Sequence, residues 1–172
     1  MIRIVIAEDQ EMLLGAMGSL LNLEEDMEVV GQASNGEEAI ALVHRLQPDI
    51  CIMDIEMPEM SGLEAAEALR SFGCKVIILT TFARSGYYQR ALQAEVSGFL
   101  LKDSPSEELA CSIRSIVHGD RIYCPELIDE ESVDDQEHDI EVFQPRARQQ
   151  TKINTVRNYL TTILDKMKLP TG

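Results

Sequence analysis

Five side chains able to do chemistry stand where short apolar runs of this chain end. Glu8 and Asp9 follow the run 2–7, Asp54 follows 49–53, Thr80 closes the run that begins at Val76, and Lys102 follows 99–101. Apolar runs of this kind read as strands buried on both faces of a parallel sheet. Open parallel sheets bind their ligands just beyond the strand ends, so neighbouring strands would gather these side chains in one crevice. Three carboxylates that close repel one another, and the set calls for a divalent cation. A lone Asp at a strand end is ordinarily a cap or turn residue. Its company here, Glu8, Asp9, Thr80 and Lys102, points to a site instead.

The elements that must position these groups are legible in the hydrophobic periodicity. Strands are predicted at 2–7, 28–32, 49–54, 75–80 and 97–101, with helices at 11–22, 36–46, 62–71, 86–94 and 106–118. Asn35 is placed to cap the second helix, Gly73 to close the third, and Ser104-Pro105 to open the last. Five βα units imply an α/β fold, a flavodoxin-like (βα)5 doubly wound parallel sheet with right-handed crossovers. The order 2-1-3-4-5 is expected because it gathers the ends of strands 1, 3, 4 and 5 around one switch point.

Composition sets the outer limits. The 172 residues, 45% hydrophobic, allow one domain with an appendage. No apolar run approaches the roughly 18 residues of a membrane span, and acids at 8 and 9 do not suit a signal peptide. Cys51, Cys74, Cys111 and Cys124 lack metal-type spacing and read as reduced thiols of a cytoplasmic protein. The net charge of −15 divides into −11 for residues 1–125, −9 for 126–141 and +5 for 142–172. The expected organisation is a domain at 1–122, an acidic then Gln/Arg-rich linker at 123–150, and a short helical appendage at 151–172. In that appendage Ile153, Val156, Leu160, Ile163, Leu164 and Met167 recur at steps of three and four.

Four motifs in register name a family. Ile6-Ala-Glu-Asp9, the stretch from Met53-Asp54 through Met57-Pro58 to Gly62, Ile78-Leu-Thr-Thr81 and Gly98-Phe-Leu-Leu-Lys102 resemble the receiver domain of two-component response regulators, with matching order and spacing over residues 1–120. The Lys102-Asp103 ending and Thr155-Val-Arg-Asn-Tyr159 resemble the NarL/FixJ subfamily with its LuxR-type helix-turn-helix, and the wording is similar to DesR-type regulators. The resemblance implies that Asp54 takes a phosphoryl group from the phosphohistidine of a sensor histidine kinase. Glu8, Asp9, Asp54 and the backbone carbonyl of Glu56 would hold Mg²⁺ or Mn²⁺, and Lys102 and Thr80 would contact the phosphoryl oxygens. Phe99 would either pack in the core or turn inward behind a displaced Thr80. Such a protein is a phospho-acceptor with self-phosphorylation and self-dephosphorylation chemistry and no turnover of a separate substrate. The phosphatases that also use an aspartyl phosphate want a second Asp two residues on, where this chain has Glu56.

Two expectations concern output. The first helix is more apolar than one core-facing stripe requires; Leu13, Met17 and Leu20, with Leu109, Ile113 and Ile116 of the last helix, form either a wide core face or, as the leading expectation, the surface of a homodimer that assembles on phosphorylation. By resemblance Thr155, Val156, Arg157 and Asn158 would face promoter DNA and Lys166 its backbone. The scaffold helices of a LuxR-type domain are not recognisable in 126–152. A transcriptional regulator and a receiver-only module that titrates a partner without binding specific DNA both remain open.

Overall fold

The computed structural model describes residues 1–81 and 84–127. Strands β1 (Ile2–Ala7), β2 (Met27–Ala33), β3 (Ile50–Asp54), β4 (Lys75–Thr80) and β5 (Gly98–Leu101) alternate with helices α1 (Glu11–Leu21), α2 (Gly36–Leu46), α3 (Gly62–Leu69), α4 (Tyr87–Gln93) and α5 (Ser106–Val117). A sixth strand, β6 (Ile122–Tyr123), and a 3-10 turn (Pro125–Leu127) follow. All neighbouring strands are parallel, in the order β2-β1-β3-β4-β5-β6. The expected order 2-1-3-4-5 is therefore present, with β6 added at the β5 edge.

The sequence reading lacks β6 because two residues are too short for any periodicity to show. What holds them is tertiary: Ile122 N–H donates to Ser97 O at 3.0 Å, and Cys124 N–H to Phe99 O at 2.8 Å. Tyr123 and Leu127 are buried in the core. Residues 123–127, assigned by sequence to the linker, thus pack as part of the folded body.

Alternating strand residues feed two apolar layers. Val5, Ala7, Cys51, Met53, Val76 and Ile78 face one cluster, which includes Val43 of α2, Leu63 and Leu69 of α3 and Ala91 of α4. Ile4, Ile6, Ile50, Ile52, Ile77 and Leu79 face the other, with Leu14 and Leu21 of α1 and Ile113 and Ile116 of α5. Covering both faces is what lets a parallel sheet be so uniformly apolar. All four cysteines are free, and burial pushes the Cys74 thiol up to about 12, so it stays protonated and unreactive.

Helix starts follow local chemistry. Asn35 Oδ1 accepts from Glu38 N–H at 2.9 Å, as expected of an N-cap. Ser61 caps α3 reciprocally: its hydroxyl oxygen accepts from Glu64 N–H at 3.2 Å, and Glu64 Oε2 accepts from Ser61 N–H at 2.8 Å. The third helix ends at Leu69, before the turn that carries Gly73, and Pro105 is the N-cap of α5.

Gly62, the first residue of α3, lies against the strand end that carries Asp54. Its N–H donates to Ile55 O at 3.0 Å, and a Cβ built at Gly62 would fall onto the carbonyl oxygen of Asp54. Backbone cannot yield as a flexible side chain can. Gly62→Ala is expected to destabilise the fold by about 1–3 kcal/mol, the usual cost of overpacking, as read from the midpoint of urea unfolding.

Candidate functional site

Strand register assembles the site. Ala7 pairs with Met53 across β1 and β3, so Glu8 comes next to Asp54. Asp54 pairs with Leu79, and Thr80 with Leu101, which places Thr80 and Lys102 one step beyond. Lys102 N–H donates to Thr80 O at 2.7 Å and fixes that step.

Within the crevice Lys102 Nζ lies 2.5 Å from Glu8 Oε2 and 3.2 Å from Asp54 Oδ2. Glu8 is fully buried, the Lys102 side chain is 8% exposed and that of Asp54 is 13% exposed. Asp54 Oδ1 accepts from Ile55 N–H at 2.8 Å, and Glu8 Oε1 accepts from Gln10 N–H at 3.1 Å. Burial pushes the Glu8 carboxyl above its ordinary range, against the opposing pull of Lys102 and of the Gln10 N–H. Burial alone would lower the Lys102 ammonium, yet contact with Glu8 and the charges of Asp54 and Glu8 leave it above its ordinary value.

The donor set fits a hard divalent cation. Carboxylate oxygens of Glu8, Asp9 and Asp54 lie within 4.8 Å of one another. Glu8 Oε2 is buried and no donor is aligned on it in hydrogen-bond geometry, so its contact with Lys102 is a charge contact with coordinating capacity left over. Asp9, the exposed member of the three, opens the cluster to solvent.

The remaining expected residues sit unequally. Thr80 is buried at the end of β4. Phe99 is already fully buried, its ring 6.2 Å from that of Tyr123, so an inward turn does not describe a change from this state. Glu56 points its carboxylate away from the cation cluster: Oε1 accepts from Tyr87 OH at 3.2 Å and pairs with Arg84 Nη2 at 2.9 Å. Tyr123 and Arg84 went unread in the sequence because the partners of their side chains are distant along the chain. Tyr123 OH donates to Val96 O at 2.7 Å and its ring bridges Phe99 and Tyr88, contacts that no local pattern encodes.

The expected dimer surface needs correction. Ile113 and Ile116 are fully buried and Leu109 is 9% exposed, so the apolar face of α5 is spent on the core of its own chain. Leu13, Met17 and Leu20 of α1 remain half-buried. Thr155, Val156, Arg157, Asn158 and Lys166 lie outside the described residues.

A parallel (βα)5 sheet with an acidic trio and a lysine at its strand ends defines a class, and residues 4–114 match the family model described as the response regulator receiver domain. The chain belongs to the response regulators. It is 55% identical over 185 aligned positions to the transcriptional regulatory protein DesR of Bacillus subtilis, spanning 98% of this chain and 92% of that one. It is 50% identical over 182 positions to the uncharacterized transcriptional regulatory protein YvfU of the same organism, spanning 97% and 91%. A crystal structure of a DNA-binding response regulator of the LuxR family from Staphylococcus aureus superposes with a TM-score of 0.65 at 39% identity, over 68% of this chain and 99% of that one. The 185 positions exceed the 172 residues of this chain, so at least 13 positions of the alignment with DesR have no residue here. Among the described residues no helix is long and apolar enough to cross a membrane.

Neutralising one carboxylate should relieve the trio. Asp9→Asn is expected to raise the melting midpoint in metal-free buffer by a few degrees and to abolish the further rise that a divalent cation such as Mg²⁺ is expected to produce in the unaltered chain. Thermal unfolding with and without Mg²⁺ reads both effects.

Proposed function

We propose that Asp54 accepts a phosphoryl group from the phosphohistidine of a sensor histidine kinase. One observation carries the choice of Asp54 among the three acids. Its carboxylate is partly open to solvent, oriented by Ile55 N–H through one oxygen and held near the Lys102 ammonium through the other, whereas Glu8 is sealed. An oxygen of Asp54 bonds to phosphorus as the P–N bond of the donor breaks, and the electron pair of that bond stays with the imidazole nitrogen. Lys102 meets the charge on the transferred oxygens, and the Thr80 hydroxyl donates to one of them. Glu8, Asp9 and Asp54, with the backbone carbonyl of Glu56, would hold Mg²⁺. That ion would supply positive charge against Asp54 and the phosphoryl group.

The protein in this reading is a cytoplasmic signal acceptor whose phosphorylation drives homodimerisation across α1, and it has no separate substrate to turn over. The similarity to DesR and YvfU supports transcriptional output. The positions missing relative to DesR support the alternative, a receiver module that titrates a kinase or partner without specific DNA binding. The receiver motifs keep the family spacing over 1–120, which favours a shortening in the output part.

With acetyl phosphate and Mg²⁺, the intact mass of the chain is expected to rise by one phosphoryl group, and Asp54→Asn to show no gain. Equal gains in the two proteins would end the assignment. Lys102→Ala should slow the gain at least about tenfold, as expected from losing a charge-assisted hydrogen bond. A gel shift of the phosphorylated chain on DNA upstream of its own coding sequence separates the two outputs. A specific shift supports the regulator, and its absence supports the receiver-only module.

A further inference from the structure

At the pole of the sheet opposite the acidic crevice lies a cavity of about 220 Å³, with room for several waters. The end of α3, the start of β4, the turn from α4 into β5 and the residue before β6 wall it. Its charged and hydroxyl lining is Arg70, Lys75, Arg121, Glu95 and Ser97. Residues 1–125 carry 20 acids and nine bases, yet three of those bases stand around this one cavity with a single acid. The local balance of charge is the reverse of that in the rest of the domain.

A base near a helix C-terminus is ordinarily drawn there by the helix dipole. That accounts for Arg70, which caps α3 and whose Nη1 donates to Gln93 O at 3.3 Å. It does not account for Lys75, which opens β4, or for Arg121, which precedes β6. Among the described residues neither of these two side chains has a hydrogen-bond or ion-pair partner. Glu95 has a left-handed backbone, with φ at 55°, in the turn that closes α4 through Val96 N–H and Ala91 O at 3.2 Å. Glycine serves such a turn at less cost, so the carboxylate is the one feature the turn does not need. Ser97 is fixed through its backbone: its N–H donates to Val76 O at 2.8 Å, and its carbonyl accepts from Ile122 N–H at 3.0 Å. That holds its hydroxyl at the cavity wall.

We propose that this cavity binds a phosphate group that still carries a proton, either free inorganic phosphate or the head of a phosphomonoester. Lys75 and Arg121, with Arg70, supply positive charge to the oxyanion, and the Ser97 hydroxyl donates to it. Glu95 accepts from the P–OH. A carboxylate among the bases repels an anion that has no proton to give, so sulfate is refused. The concave wall concentrates the field of the three bases beyond what they would exert on an open surface. The site is distinct from the crevice at Asp54, since Lys75 and Thr80 mark opposite ends of β4, roughly 17 Å apart.

The test titrates inorganic phosphate into the full chain at about pH 6, where a phosphate group keeps a proton in large part. EDTA removes any divalent cation that could draw phosphate to the acids of the crevice, and sodium chloride holds the ionic strength constant. The amide signals of Lys75, Ser97 and Ile122 are expected to shift saturably while those of Glu8 and Asp54 stay in place. Sulfate should bind at least about tenfold more weakly, the worth of one hydrogen bond and of a like-charge repulsion. Lys75→Gln with Arg121→Gln should weaken phosphate binding at least about tenfold and leave the phosphate-free melting midpoint nearly unchanged. Glu95→Gln should bind sulfate as well as phosphate. Tighter binding of glycerol phosphate than of inorganic phosphate would assign the site to a monoester head, and the reverse would assign it to free phosphate. The absence of a saturable shift, an undiminished shift in the double variant, or sulfate binding as tightly as phosphate in the unaltered chain would overturn the proposal.

Discussion

One ammonium group between two carboxylates organises the upper end of this sheet. Lys102 Nζ reaches Glu8 at 2.5 Å and Asp54 at 3.2 Å, across three strands that are remote in sequence. Burying Glu8 alone would leave an uncompensated charge in the protein, and removing one partner of a buried pair costs about 3–5 kcal/mol. The parallel register of β1, β3, β4 and β5 must therefore be right to the residue, because a one-step slip would turn Glu8 or Lys102 to the wrong face. The site and the sheet constrain each other.

The same crevice is also the least comfortable part of the fold. Three carboxylates share a few ångströms, Glu8 keeps an oxygen without an aligned donor, and Gly62 packs so near the Asp54 carbonyl that no other residue fits. A core built only for stability would fill this corner with apolar side chains. Keeping acids there trades stability for a place where positive charge can be received. The Ser61–Glu64 capping box and the Ile55 N–H hold the Asp54 loop in shape against that repulsion.

Much of this was legible in the residues. The five strands and five helices follow from apolar runs and amphipathic periods, and Asn35 announces its helix by local hydrogen bonding. Glu8, Asp9, Asp54, Thr80 and Lys102 were identifiable because each ends an apolar run. The errors share one cause. Ile113 and Ile116 read as spare surface because a stripe on a helix looks the same whether it faces a second chain or its own sheet. Strand β6 and Leu127 escaped because their stability comes from β5 and the core, contacts made across the fold. Phe99 could be read as mobile or packed, and Tyr123, which settles its neighbourhood, lies 24 positions away.

By itself the sequence determined the fold class, the strand order and which polar side chains stand at the strand ends, since periodicity and strand-end placement are local properties that survive without a three-dimensional context. Tertiary structure alone decided which carboxylate is sealed and which is open, that Lys102 stands between Glu8 and Asp54, and that α5 has no apolar face to spare. Those outcomes depend on burial and on distances between strands far apart in the chain. Burial and electrostatic strength are set by what surrounds a group, and no stretch of residues carries that information until the sheet has closed around it.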